Sequence, residues 1–338
     1  MVKIYKKEGA ITKINNLTST STPFLILTDF EGNRSIIKRL DKVNVSDIKY
    51  KFGEVSNFNF STNNNRFNGI EKKCIDFELY QKAFDVVISN IKEGNSFLTN
   101  LTCASRIKTN LSLEEIFIIS NAKFKIWVKG FEHFNEFVCF SPEIFVKINT
   151  EGIISSFPMK GTIDTKIENA ESVILEDEKE FFEHTTIVDL IRNDISKIAE
   201  KVWVEKFRYI DKIKTLDGEL LQVSSQVCGK LDPFWKNKFG DILFSMLPAG
   251  SISGAPKGKT VEIIKKAEKY TYNGLNRNFY TGICGIFDGE TFNSGVMIRF
   301  IENTPQGLLY KSGGGITAKS MVEKEYQEMI QKIYVPTI

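Results

Sequence analysis

Glu180 and Glu183 stand three residues apart, and Glu325 and Glu328 repeat that spacing near the C-terminus. On a helix, residues three apart share a face. Two such helices turned toward each other would gather hard oxygen donors suited to Mg2+ with some of its waters retained. Spacing alone does not decide the matter, because Glu pairs at i, i+3 are more often solvated helix faces. A carboxylate-bridged di-iron centre would want Glu-x-x-His on two helices, and His184 follows Glu180 by four residues, the wrong spacing. Gly313-Gly314-Gly315 could let backbone N–H groups approach an anion closely, although a glycine run is commonly just a turn. The loop from Pro248 to Lys257 carries two hydroxyls, Ser251 and Ser253, and runs toward a helix N-terminus, where anions are favoured. It lacks the G-K-[ST] ending of a Walker A loop. Lys160 ends a strand-like run in Ser156-Phe157-Pro158-Met159-Lys160-Gly161-Thr162. A lysine there is ordinarily a surface residue. Desolvated or set beside other cations, it has a lowered pKa and becomes an amine nucleophile.

The chain that must position these groups has 338 residues, 42% hydrophobic and 26% charged, which excludes a disordered chain, a collagen and a coiled coil. No stretch approaches the roughly 20 apolar residues of a membrane span. The basic start, Met1 to Lys7, is followed by no apolar h-region, so no signal peptide is expected. The net charge of +3 with evenly spread lysines excludes a nucleic-acid footprint. Five cysteines without a C-x-x-C spacing read as reduced thiols, which predicts a cytoplasmic protein; the missing apolar span and the small, even charge predict that it binds neither membrane nor nucleic acid. With only His133 and His184, a multi-histidine zinc site is not expected.

Residues 1–70 hold short strand-like runs such as Phe24-Leu25-Ile26-Leu27 and Ser35-Ile36-Ile37, and read as a short strand-rich N-terminal subdomain. The polar stretch 61–65 reads as a loop separating it from a main body over 76–335. Phe77, Tyr80, Phe84, Val87, Ile88 and Ile91 recur with helical spacing, and Gly94 ends the pattern. Ser112-Leu113-Glu114-Glu115 is a capping box that starts another helix. Short β-rich runs follow over 124–157, with a hairpin of Ile144–Ile148 and Ile153–Phe157 around Gly152. Helices are expected over 176–193 and 256–269, after an N-cap and N1 proline at Asp232-Pro233, and from Lys319 onward. Tyr280–Phe287 and Gly295–Glu302 read as strands paired across Asp288-Gly289. Antiparallel strands mixed with helices point to an α+β or complex α/β fold.

Taken together and in order, these segments resemble the chorismate-utilising enzymes, a family that includes anthranilate, aminodeoxychorismate, isochorismate and salicylate synthases. The resemblance spans about Asp76 to Ile333. Its carriers are Ser141-Pro142-Glu143, Pro158-Met159-Lys160-Gly161-Thr162, the run Glu183-His184 through Arg192-Asn193-Asp194, the Pro248–Lys257 loop, Arg277-x-x-Tyr280-x-Gly282, Ile298-Arg299, Gly313-Gly314-Gly315-Ile316 and Glu325-Tyr326-x-Glu328. The resemblance implies one large α/β domain of two packed antiparallel sheets with outer helices. It implies that Glu183 and Glu328 ligate Mg2+, with Glu180 and Glu325 reaching it through water, and that the metal holds the ring carboxylate of chorismate. Gly313 and Gly315, flanking Gly314, would bind that carboxylate by backbone N–H, and Tyr280 and Arg299 the enolpyruvyl carboxylate. Ser253 takes a hydroxyl position near the substrate. A dianion calls for a dication, an arginine and amide donors in one cleft.

Within the family, Lys160 resembles the motif lysine of the aminodeoxychorismate synthase component I branch, where anthranilate synthases carry alanine. That resemblance implies attack of the lysine on C2 of chorismate, loss of the C4 hydroxyl and addition of ammonia at C4. Thr162 belongs to the same catalytic motif. Glu143 resembles the general acid/base. Leu98 stands where isochorismate and salicylate synthases place a water-activating lysine, which argues against water as nucleophile. Gln222 replaces the family's histidine and cannot shuttle a proton at neutral pH. Ile163-Asp164-Thr165 replaces an Arg-Pro-Arg segment, for which the sequence offers no account. The N-terminal piece lacks a Leu-Leu-Glu-Ser segment, so feedback by tryptophan is not expected. No cysteine lies in a glutaminase nucleophile segment, and the chain stops at Ile338, so ammonia is expected from a separate glutamine amidotransferase subunit, with no fused lyase. The rival expectations are anthranilate synthase component I and a catalytically silent chorismate-binding or scaffolding subunit, the latter kept open by Gln222.

Overall fold

The computed structural model describes residues 2–59, 66–131, 133–215 and 218–337, so the expected loop over 61–65 lies outside the described residues. Two sheets dominate. The first runs β1 (Ile4–Tyr5), β3 (Ser35–Arg39), β2 (Phe24–Thr28), β16 (Ile283–Phe287), β17 (Phe292–Val296), β10 (Ile144–Ile148), β11 (Ile153–Ser156), β14 (Gly218–Lys230) and β12 (Met159–Asp164), with β13 (Lys201–Thr215) also paired to β14. The second runs β15 (Gly254–Ala255), β7 (Leu98–Lys108), β19 (Gly307–Ile316), β18 (Phe300–Thr304), β9 (Glu136–Ser141), β8 (Phe124–Val128), β4 (Ile48–Phe52) and β5 (Val55–Ser56), with β6 (Glu71–Lys73) paired to β7. Every pairing is antiparallel. The helices are α1 (Lys7–Ser19), α2 (Phe77–Lys92), α3 (Leu113–Ile119), α4 (Ala170–Glu176), α5 (Glu178–Ser196), α6 (Phe239–Ser245), α7 (Lys257–Ala267) and α8 (Val322–Gln331). This is the mixed fold of two packed antiparallel sheets with outer helices that the sequence led us to expect.

Strand alternation builds the layers. Leu25 and Leu27 of β2 enter the core between the sheets, with Ile126, Phe137, Ile286 and Phe300. Their neighbours Phe24 and Ile26 face the other way and pack with Ile14 of α1 and Phe239 and Leu243 of α6. On the far side, Phe84 and Val87 of α2, Ile263 of α7 and Met329 of α8 cover Leu101, Cys103 and Tyr310. Each such fully buried side chain contributes about 1.5–3 kcal/mol. The N-terminal strands join both sheets: β2 pairs with β16, and β4 pairs with β8.

The hairpin of β10 and β11 forms as expected. So does the capping box, in which Glu115 N–H donates to Ser112 Oγ at 3.2 Å and Ser112 N–H to Glu115 Oε2 at 2.8 Å. Three expectations are corrected. α1 lies within a stretch read only as strands. Its buried stripe is just Ala10, Ile14, Leu17 and Thr18 amid lysines and asparagines, too faint a periodicity to register. Asp232 does not cap an α-helix: its Oδ1 accepts from Phe234 N–H at 2.7 Å, in a turn leading to a 3-10 segment, Trp235–Lys238, before α6. Gly295–Glu302 is not one strand. β16 pairs with β17, and the chain then leaves the first sheet at Val296 and enters the second at Phe300. Apolar residues on both sides of that crossover hide it from any periodicity argument.

Candidate active site

The crossover residues Ile298 and Arg299 form part of the wall of a cleft of about 320 Å3. α5, β7, β10, β11, β12, β14, β19, the Pro248–Lys257 loop and α8 contribute most of the rest. Lys160, Thr162, Glu143, Gln222, Ser253, Tyr280, Arg299, Gly313, Gly314, Gly315 and Glu328 all line it, as does Leu98. Glu180, Glu183 and Glu325 do not line it but adjoin lining residues: Glu183 bonds Lys160, and Glu180 and Glu325 carboxylate oxygens lie 3.1 and 3.6 Å from where Cβ atoms of Gly161 and Gly314 would be.

β12 presents Lys160 and Thr162, and Thr162 lies opposite Gln222 of β14. α5 packs on both strands, and its Glu183 Oε2 accepts from Lys160 Nζ at 2.6 Å. Burial would lower the Lys160 pKa, but Glu183, then Glu180 and Glu328, outweigh it and hold the amine above its ordinary range. In this arrangement the carboxylates favour the ammonium form, the opposite of the neutral amine that a cation beside Lys160 was expected to give.

The glycines are not a turn between strand and helix. They lie inside β19, paired with Thr102, Leu101 and Asn100 of β7. On the other edge β18 stops at Phe300, opposite Lys311, so Gly313–Gly315 have one open edge. Gly313 carbonyl accepts from Lys332 Nζ at 2.9 Å, which turns its backbone toward that open edge. In an antiparallel strand the N–H of the same residue points the same way. A Cβ at Gly313 would stand 2.3 Å from the Leu101 carbonyl, so the close approach requires glycine.

Glu143 follows β9 and accepts from Ser251 Oγ at 2.5 Å. Burial raises its pKa, and the Ser251 bond and Arg299 only partly offset this, so it keeps its proton to higher pH than an ordinary carboxyl. Ser253, by contrast, spends its hydroxyl hydrogen on Ala249 O at 2.8 Å. Tyr280 is buried, and burial pushes its phenol well up, so it stays a neutral donor. Asn100 Oδ1, Arg299 Nε and Ser312 Oγ are buried in the cleft wall without a partner. Unpaired buried polar atoms are rare in folded proteins, and three in one cleft fit a polar ligand.

Glu325 Oε2 and Glu328 Oε1 both lie 3.6 Å from the point where a Gly314 Cβ would be. Burial raises the pKa of Glu325, reinforced by Glu328 and Glu183, and that of Glu180, reinforced by Glu183. Burial would also raise Glu328, but Lys332 Nζ at 2.7 Å holds it down. Four hard carboxylates from α5 and α8 thus share one field, a chemistry that suits a divalent cation. Among the described residues, no three acidic, His or Cys side chains stand close enough to hold a metal. Glu183 and Glu328 each bind a lysine instead, and a metal would have to draw them away. His184 takes no part: Nε2 bonds Ser225 Oγ at 2.6 Å, and burial pushes its pKa down to about 4.

Sequence reasoning missed Ser251 and Lys332 as functional residues. Lys332 follows Glu328 by four, a spacing that signals a helical ion pair. Ser251 was legible only as one of the loop's two hydroxyls, not as the partner of Glu143.

The family profile described as chorismate binding enzyme matches residues 26–337. The chain belongs to the chorismate-binding enzyme family. The match starts well before Asp76, where the sequence motifs begin, and takes in β2 to β5. An "Uncharacterized PabA-like protein" of Haemophilus influenzae is 46% identical over 326 residues, 96% of each chain. The "Probable aminodeoxychorismate synthase, chloroplastic" of Oryza sativa is 27% identical over 83% of this chain and 32% of its own length. Anthranilate synthase component I from Streptococcus pneumoniae superposes with a TM-score of 0.64 at 24% identity, covering 80% of this chain and 59% of that one, a likeness of fold. No helix is long and apolar enough to cross a membrane among the described residues.

Proposed function

We propose that this protein is an aminodeoxychorismate synthase component I, which converts chorismate and ammonia to 4-amino-4-deoxychorismate and water. The observation that carries the reading is Lys160 in the cleft wall, within ion-pair distance of Glu183. Its amine must first give up to solvent the proton that the Glu183 contact favours, and it regains one from solvent after leaving C2. The free amine then bonds to C2, the ring double bonds shift, and the C4–O bond breaks. Glu143 gives its proton to the departing oxygen, and water leaves. Ammonia bonds to C4, the double bonds shift back, and the lysine amine leaves C2. The surplus proton on the new nitrogen returns to Glu143. Gln222 can hydrogen-bond a hydroxyl but not carry that proton. Gly313 and Gly315 N–H groups, Tyr280 and Arg299 would hold the two carboxylates. A bound Mg2+, held by Glu183 and Glu328 with Glu180 and Glu325 outside them, would add positive field at a carboxylate. Ammonia would come from a separate glutamine amidotransferase.

Product chromatography after incubation with chorismate, ammonium and Mg2+ tests the reading. 4-Amino-4-deoxychorismate is expected, and anthranilate as main product, or no turnover, would end it. Glu328→Ala should weaken Mg2+ and chorismate binding together, and an unaltered magnesium titration would remove Glu328 from the ligand set.

A further inference from the structure

Arg277 does not line the cleft, yet its guanidinium grips three segments that do. Nη1 donates to Ile252 O at 2.9 Å and to Thr281 Oγ1 at 3.3 Å, and Nη2 donates to Asn100 O at 2.6 Å. Ile252 sits between Ser251 and Ser253, Thr281 follows Tyr280, and Asn100 lies on β7 opposite Gly315. The Arg277 carbonyl accepts from Lys311 Nζ at 3.0 Å, two residues before Gly313, and from Tyr280 N–H at 3.0 Å. Glu268 anchors the fork: Nε donates to both of its carboxylate oxygens at 3.0 Å, and Nη2 to Oε1 at 2.6 Å. The Phe30 ring stacks on the guanidinium at 4.4 Å. All five guanidinium N–H groups are thereby used, on a side chain only 3% exposed.

Charge neutralisation needs only Glu268. The remaining donors go to backbone and hydroxyl atoms of the cleft-bearing segments. One of those segments is strained: Thr281 is β-branched and has φ 61°. Such a residue costs about 1–3 kcal/mol and persists only where its surroundings over-determine it. Thr281 N–H donates to Met297 O at 2.7 Å, its Oγ1 to Tyr280 O at 2.6 Å, and Arg277 closes the third side. We propose that Arg277 is a positioning residue that sets the separation of β7, the Ser251–Ser253 loop and the Tyr280 turn, and so the fit of the cleft to chorismate. The inference rests on chorismate as the ligand, but not on its amination.

The test is calorimetric titration of chorismate into the full chain with Mg2+, with a urea unfolding midpoint for each variant. Arg277→Lys keeps a cation beside Glu268 but replaces a planar fork by one point of donation. It should weaken chorismate binding at least tenfold. The double variant Arg277→Met with Glu268→Leu leaves no buried charge unpaired and should show the same loss. Phe239→Leu, in the helix layer over the first sheet, serves as a stability control and should stay within twofold of wild type even where its midpoint falls further. Arg277 variants within twofold of wild type would overturn the proposal. So would a loss that merely tracks the unfolding midpoint across all variants. A wild-type chain that takes up no chorismate would overturn the ligand reading itself.

Discussion

Alanine in place of Lys160 is expected to lower aminodeoxychorismate formation by about a thousandfold or more, as loss of a covalent nucleophile does elsewhere. The fold should stand. Lys160 belongs to none of the buried core clusters and keeps 28% side-chain exposure. Glu183 would not be left bare, since Lys179 Nζ lies 3.7 Å from its other oxygen. Mass spectrometry separates a nucleophile from a mere binding group. Wild-type protein held with chorismate but without ammonia should gain a covalent mass on the peptide carrying Lys160, and the variant should not. Unchanged turnover in Lys160→Ala would mean that the covalent route is wrong.

The second large effect concerns stability. Lys311 and Glu302 form an ion pair between β19 and β18 with side-chain exposures of 1% and 6%. Lys311 Nζ also donates to Asn276 O at 3.2 Å, and Glu302 Oε1 accepts from Asn135 Nδ2 at 2.9 Å. Burial pulls the Lys311 pKa down, and Glu302 opposes that pull. Removing one partner of such a pair leaves a buried charge and costs about 3–5 kcal/mol. Glu302→Ala should show that loss as a lower urea midpoint at neutral pH. It should also carry a pH signature. With Glu302 gone, the folded-state pKa of Lys311 falls further below the unfolded value, so the unfolded chain binds more protons at intermediate pH. Stability of the variant should then rise as pH climbs toward the ordinary lysine range. A variant as stable as wild type, with a flat profile up to that range, would show the pair to be idle.

What the sequence disclosed was what lies close in the chain. The capping box at Ser112, the hairpin around Gly152 and the apolar stripe from Phe77 to Ile91 each span a few turns or fewer, and each appears where expected. The glutamate pairs were legible as pairs, but not that Lys160 and Lys332 would claim Glu183 and Glu328. Ser251 meets Glu143 across 108 residues of sequence, and Arg277 meets Asn100 across 177. Such contacts arise only when two sheets are folded against each other. α1 escaped notice because its stripe is thin, and the break at Met297–Arg299 because both flanks are strands.

That break has a mechanical meaning. Tyr280 leads into the first sheet, Gly313 belongs to the second, and Arg299 stands where the backbone passes between them. A molecule gripped by all three would act as a cross-brace between the two sheets. Occupancy should therefore stiffen the sandwich as a whole, and the heat needed to melt it should rise with ligand concentration in one cooperative step.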